Sequence, residues 1–167
     1  PKDDIETINT ELILADLQSL DKVIPRLQKE ARNDKTKQAT LDAAEAALKL
    51  LNDGKTIFAS KIDREPLREL FLLTAKPFLY VFNVDDAGLM DQSAKAQMQA
   101  LVAPAEAIFL DARLETELLE LSDEEALELL QSVGQTESGL STLARVGFET
   151  LGLQTYLTAG PKEARAW

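Results

Sequence analysis

The sequence predicts an α/β chain that is mostly helical, and three observations predict it. Two apolar stripes at heptad spacing lie within the first 60 residues. Two short apolar runs, FLYVFN and AEAIFLDA, flank a segment of helical composition. Two further helical segments follow, the first introduced by Ser122-Asp123-Glu124-Glu125 and closed at Gly134.

The first stripe is Ile13, Leu17, Leu20, Ile24, Leu27 and Ala31, spaced 4, 3, 4, 3, 4, which is the a/d seam of a long helix packing along one partner. Pro25 falls inside it and removes one backbone donor at a cost of about 3 kcal/mol, so a kink is expected there. Leu41, Ala44, Leu48 and Leu51 form the second stripe, in LDAAEAALKLLNDG, with Gly54 as its stop. A polar link, Asn33 to Lys37, joins the two, so the segment reads as an antiparallel helical hairpin, an arm of coiled-coil type.

Beyond Gly54 the period changes. PLRELFLL reads as a short helix, and FLYVFN, residues 78–83, as a strand. SAKAQMQALVA, residues 93–103, reads as a helix, and AEAIFLDA, residues 105–112, as a second strand. Strand, helix, strand makes a βαβ unit with parallel strands, whose near-continuous apolarity predicts burial on both faces. Two strands and one helix cannot supply that cover, which points to missing neighbours or to self-association through unpaired strands. Ser122 to Glu125 is a capping box opening DEEALELLQSV. SGLSTLARVGFETLG is the last helix, and LQTYLTAGPKEARAW reads as the opening of a further module.

Composition excludes several functions. The chain has no Cys and no His, so disulfides, thiol catalysis, structural zinc and histidine-based triads are ruled out. No apolar run approaches the roughly 20 residues that cross a bilayer, so no membrane partner and a cytoplasmic location are expected. The net charge of -11 is unevenly placed. Six bases (Lys22, Arg26, Lys29, Arg32, Lys35, Lys37) stand against two acids between residues 22 and 37, and eight acids with no base lie between 114 and 137. The acidic stretch reads as a solvated helix face. Of the basic group, Lys29, Arg32, Lys35 and Lys37 fall at the hairpin tip and are candidates for RNA phosphate contact, weighed against a solvated turn whose lysines only aid solubility. Carboxylates are numerous but none stands beside a recognisable nucleophile, so no catalytic and no metal-binding residue is assigned.

Four blocks carry a resemblance: DIETINTELILADL (residues 4–17), LTAKPFLYVFNV (73–84), GLSTLARVGFETLGL (139–153) and LQTYLTAGPKEARAW (153–167). In this order and spacing the chain resembles the Obg-like ATPase family (YchF, EngD) of translation-factor-class P-loop NTPases. The resemblance implies a helical coiled-coil arm at 1–60, the C-terminal half of a nucleotide-binding G domain at 61–149, and the beginning of a TGS domain at 150–167. Gln154, Thr155, Tyr156, Thr158 and Lys162 match the start of that last domain. No GxxxxGK[ST] occurs in these residues. The resemblance therefore implies a fragment without the phosphate-cradling half, inactive alone, from a parent that binds and hydrolyses ATP with Mg and acts on ribosomes or RNA.

It also implies a base-recognition loop at Asn83-Val84-Asp85-Asp86. Guanine-reading G domains carry N-K-x-D there, whereas Obg-like ATPases carry N-x-x-E with an apolar second residue and prefer adenine. Val84 follows the family and Asp86 departs from it, which keeps GTP beside ATP. The residues alone also fit a strand-end Asx turn. At the end of the second strand, Ala112 fits a backbone contact to the base, while Asp111 and Arg113 depart from the pattern, and Asp111 equally suits a helix cap. The reading from another class is a non-enzymatic helical interaction module that binds a protein or RNA partner through the hairpin.

Overall fold

The computed structural model describes residues 2–161 and 163–166, in two compact units that divide between Pro77 and Phe78. In the first unit, helix α1 (Lys2–Ala31) opens with Asp3 and Asp4 and ends with Lys29, charges that suit the two ends of the helix dipole. The helix is continuous through Pro25. Its inward face buries Ile13, Leu20, Ile24 and Leu27. Helix α2 (Gln38–Asn52) packs along it, burying Leu41, Ala44, Ala47 and Leu51, with Leu48 only partly covered. The helices are joined by a short turn, and Gln28 Nε2 of α1 donates to Glu45 Oε1 of α2 at 3.1 Å, so α2 runs back along α1.

In the turn, Asp34 accepts from the Thr36 amide at 2.9 Å and from its hydroxyl at 2.6 Å. The hydroxyl first and the amide second hold the Asp34 carboxyl below its usual range, with Lys37 adding to the effect. Helix α2 ends in a Schellman arrangement: Gly54 at φ 73° lets Lys55 N reach Leu50 O at 3.2 Å and Gly54 N reach Leu51 O at 2.9 Å.

The segment expected as a short helix departs from that reading. It forms a 3-10 helix over Glu65–Leu70, breaks at Phe71, and makes a second 3-10 turn over Leu73–Ala75. Phe71 has φ 54° and ψ 31°, a left-handed conformation that costs a bulky residue about 1–2 kcal/mol. The cause lies in α1. Asp16, 2% exposed, accepts from Leu73 N, Thr74 N and Thr74 Oγ1, each at 2.7 Å. Those bonds claim the amides that a continuing helix would use, and they satisfy a carboxylate that would otherwise be costly to bury.

The second unit opens with strand β1 (Leu79–Asn83), followed by the short helix α3 (Asp86–Met90), helix α4 (Gln92–Val102) and strand β2 (Glu106–Leu110). β1 and β2 are parallel, in register from Leu79↔Glu106 to Asn83↔Leu110, as the βαβ pattern predicts. Burial on both faces is not observed. In the strands only Ile108 is buried and Val81 is 48% exposed, because cover comes from α4 and from helix α7 (Gly139–Thr150), both against β2. Phe82 and Phe109 stack across the pair, with ring centroids 5.3 Å apart.

Helices α5 (Ala112–Leu118) and α6 (Asp123–Ser132) complete the unit. The capping box is present: Ser122 Oγ accepts from Glu125 N, and Glu125 Oε2 accepts from the Ser122 amide and hydroxyl. Gly134, at φ 70°, closes α6 as Gly54 closes α2. The tail, read as the opening of a further module, forms an exposed antiparallel hairpin of β3 (Leu157–Ala159) and β4 (Ala164–Ala166). Lys162 lies outside the described residues. Among the described residues no helix is long and apolar enough to cross a membrane.

Candidate nucleotide-base site

The carboxyl ends of β1 and β2 lie side by side because the strands are parallel and in register, and this is where open α/β sheets bind ligands. The ladder continues one residue past β1, with Val84 N donating to Leu110 O at 2.9 Å. At the same level Asn83 Oδ1 accepts from Ala112 N at 3.0 Å, joining the turn after β1 to the first residue of α5. This bond links residues 29 positions apart. It gives Asn83 the work of tying two neighbouring turns together, and it also occupies the Ala112 amide that was expected to face a base.

Two acidic side chains at these strand ends serve as helix caps. Asp85 Oδ1 accepts from Gly88 N at 2.8 Å and opens α3. Asp111 Oδ1 accepts from Arg113 N at 2.8 Å and from Leu114 N at 3.4 Å and opens α5. The helix-cap reading of Asp111 therefore describes the structure, and at the expected strand-end turn Asp85 is a helix cap as well, its bond reaching the third residue on and not the second. Helix α3, absent from the sequence reading, brings Gly88 so close to Val84 that an added Cβ would stand 2.9 Å from the Val84 Cβ.

Val84 is partly buried and packs against Leu89, Leu114 and Val133. Asp86 is the first residue of α3 and is exposed. Around it is an open cavity of about 390 Å³, lined by Asp85, Asp86, Asp111, Arg113 and Glu117 over an apolar wall of Leu114, Leu129 and Val133. Of the residues expected at a base, Asp86 lines the cavity, Asn83 and Ala112 brace its rim through their mutual bond, and Val84 belongs to the packed core. The sequence reading did not select Arg113 or Glu117, which line the same space.

The acidic stretch is not uniformly solvated. Glu115 is 8% exposed; its Oε1 accepts from Gly139 N at 2.6 Å and its Oε2 from Leu140 N at 3.2 Å. The carboxylate thus takes two otherwise unpaired amides at the amino end of α7, where the helix dipole also favours a negative charge. Gly139 is required by contact: a Cβ there would stand 2.4 Å from the Leu110 Cβ. The end of β2, α5 and the start of α7 are fixed together by these contacts, which hold the cavity's rim. Among the described residues no group of three or more His, Cys, Asp or Glu is placed to hold a metal ion.

In the other unit, Lys29 lies in the last turn of α1, Arg32 follows it, and Lys35 and Lys37 lie in the 3-10 turn Lys35–Lys37. All four gather at the hairpin turn. Lys29, Arg32 and Lys35 are exposed, and Lys37 Nζ pairs with Glu69 Oε2 at 3.6 Å.

No family model matches the chain. It is 41% identical over an alignment of 173 residues to the ribosome-binding ATPase YchF of Haemophilus influenzae. It is 39% identical to the proteins of the same name from Escherichia coli O157:H7 and Bacillus subtilis. Each match covers 100% of this chain and 48% of the relative, so the chain spans about half the length of the curated relatives it matches. The solved structure of the Schizosaccharomyces pombe YchF GTPase superposes with a TM-score of 0.82 at 24% identity, over 100% of this chain and 48% of that one, a likeness of fold.

Proposed function

We propose, on the premise that this chain belongs to the YchF family, that its second unit supplies the base-facing half of a nucleotide site in an enzyme that binds and hydrolyses ATP or GTP. The observation that carries the reading is the Asn83–Ala112 bond. It braces the two strand ends beside the cavity that Asp86 lines, in a sheet whose topology directs ligands to that edge. Similarity to proteins named ribosome-binding ATPase supports the same reading at family level.

On this reading residues 1–60 are the arm, 61–149 the base-side half of the G domain, and 150–167 the beginning of a TGS domain. On this reading phosphate contacts and the bound Mg depend on residues other than these, since no GxxxxGK[ST] is present. No hydrolytic step is assigned to this chain's residues. The arm's basic turn, Lys29, Arg32, Lys35 and Lys37, contacts ribosomal RNA phosphates.

The test is titration of the complete protein with ATP and GTP, alongside its Asn83→Ala variant. Tighter ATP binding is expected, weakened by Asn83→Ala as the rim loosens. GTP binding equal to or tighter than ATP would reject adenine preference, and an unaltered Asn83→Ala affinity would reject the loop assignment. For the arm, neutralising the four bases flattens the salt dependence of ribosome association, and an unchanged slope removes them from the contact.

A further inference from the structure

We propose that Arg113 is the residue that covers the face of the purine, doing at this site what the lysine of an N-K-x-D loop does elsewhere. The proposal rests on the base-site reading above. It starts from Val84: the residue standing at the lysine position packs among Leu89, Leu114 and Val133 and is not part of the cavity lining. A base seated beside Asp86 is therefore covered from another element.

Arg113 is the one cation among the described residues lining that cavity. Its backbone is fixed at the start of α5, with its amide donating to Asp111 Oδ1 at 2.8 Å and the preceding amide donating to Asn83. Its side chain, 88% exposed, projects from this anchored turn and is steered by Glu117, one helical turn on, with Nε to Oε1 at 3.7 Å. A planar guanidinium lies flat against a π-system, and its charge is favoured over the ring face. Leu114, Leu129 and Val133 supply an apolar surface in the same cavity. Of the four acids that line it, Asp85 and Asp111 are engaged as caps and Glu117 pairs with Arg113. Asp86 is then the carboxylate that meets hydrogen-bond donors on the ring edge, while Arg113 meets the face and does not discriminate between purines.

The test compares Arg113→Ala and Arg113→Lys with the parent in the complete protein, titrating ATP and, as a probe without a base, inorganic tripolyphosphate. Arg113→Ala raises the Kd for ATP about three- to tenfold and leaves tripolyphosphate unchanged, and Arg113→Lys falls between. An unchanged Kd for ATP, or an equal loss for both probes, overturns the proposal; the second result would make Arg113 a phosphate contact. Asn83→Ala and Asp86→Ala separate the two readings. If they weaken ATP and Arg113→Ala does not, Arg113 alone is wrong. If all three leave ATP unaffected, the base site itself is wrong.

Discussion

Replacing Glu115 with Ala should destabilise the second unit by about 2–4 kcal/mol. The Glu115 carboxylate accepts the Gly139 and Leu140 amides at 2.6 and 3.2 Å while 8% exposed. Truncation leaves both amides without their partner, and each buried unsatisfied donor costs about 1–3 kcal/mol. Leu140 is exposed, so water replaces most of its bond and its loss adds only about 0.5 kcal/mol. Loss of the negative charge at the amino end of α7 adds about 0.3–1 kcal/mol.

Glu115→Gln preserves the shape and one acceptor, and neutral bonds are about half as strong as charge-assisted ones, so it should cost about 1–2 kcal/mol. Urea unfolding followed by far-UV circular dichroism measures both, and amide exchange at Gly139 and Leu140 localises the effect. A loss under about 0.5 kcal/mol for Glu115→Ala would refute the capping argument. Equal losses for Gln and Ala would show that the charge, and not acceptor geometry, carries the effect.

Other outcomes follow from the same geometry. Asp16→Ala strips three hydrogen bonds at 2.7 Å from the exposed Leu73 and the buried Thr74 and should cost on the order of 3–5 kcal/mol, whereas Thr74→Val removes one of them and should cost about 1–2 kcal/mol; denaturant midpoints compare the pair. Gly139→Ala forces a Cβ to 2.4 Å from the Leu110 Cβ and should cost about 1–3 kcal/mol, read from the same unfolding curves. At Ser122, the hydroxyl first and the amide second hold the Glu125 carboxyl below its usual range. A depressed folded-state pKa means that the capping box stabilises α6 above the unfolded pKa and loses that contribution as pH falls through the folded one. Ser122→Ala should move the Glu125 titration, followed by carboxyl NMR, upward, and a titration that stays in place would remove the hydroxyl as the cause.

The helical elements were readable because their signals are local. Heptad spacing placed α1 and α2, Gly54 and Gly134 marked stops, and Ser122 with Glu125 spelled out a cap whose atoms lie within four residues. The βαβ unit was readable because two short apolar runs flank a helical segment. The short helix expected from Pro66 to Leu73 forms only as a 3-10 helix that stops at Leu70, because the partner that captures Leu73 and Thr74 is Asp16, 57 and 58 positions away. Glu115 looked like one more acid on a solvated face, since nothing near it signals that Gly139 will arrive beside it.

By itself the sequence determined the helical hairpin with its basic turn, the parallel strand pair, the caps and the family resemblance, because each depends on periodicity, capping chemistry or blocks of consecutive residues. Only the tertiary structure decided which polar groups at the strand ends meet. It joined Asn83 to Ala112, turned Val84 into the core, assigned Asp85 and Asp111 to caps, and left Asp86 and Arg113 lining one cavity. Hydrogen bonds and cavities are set by distances between segments, and those distances exist only once the strands pair and the helices pack.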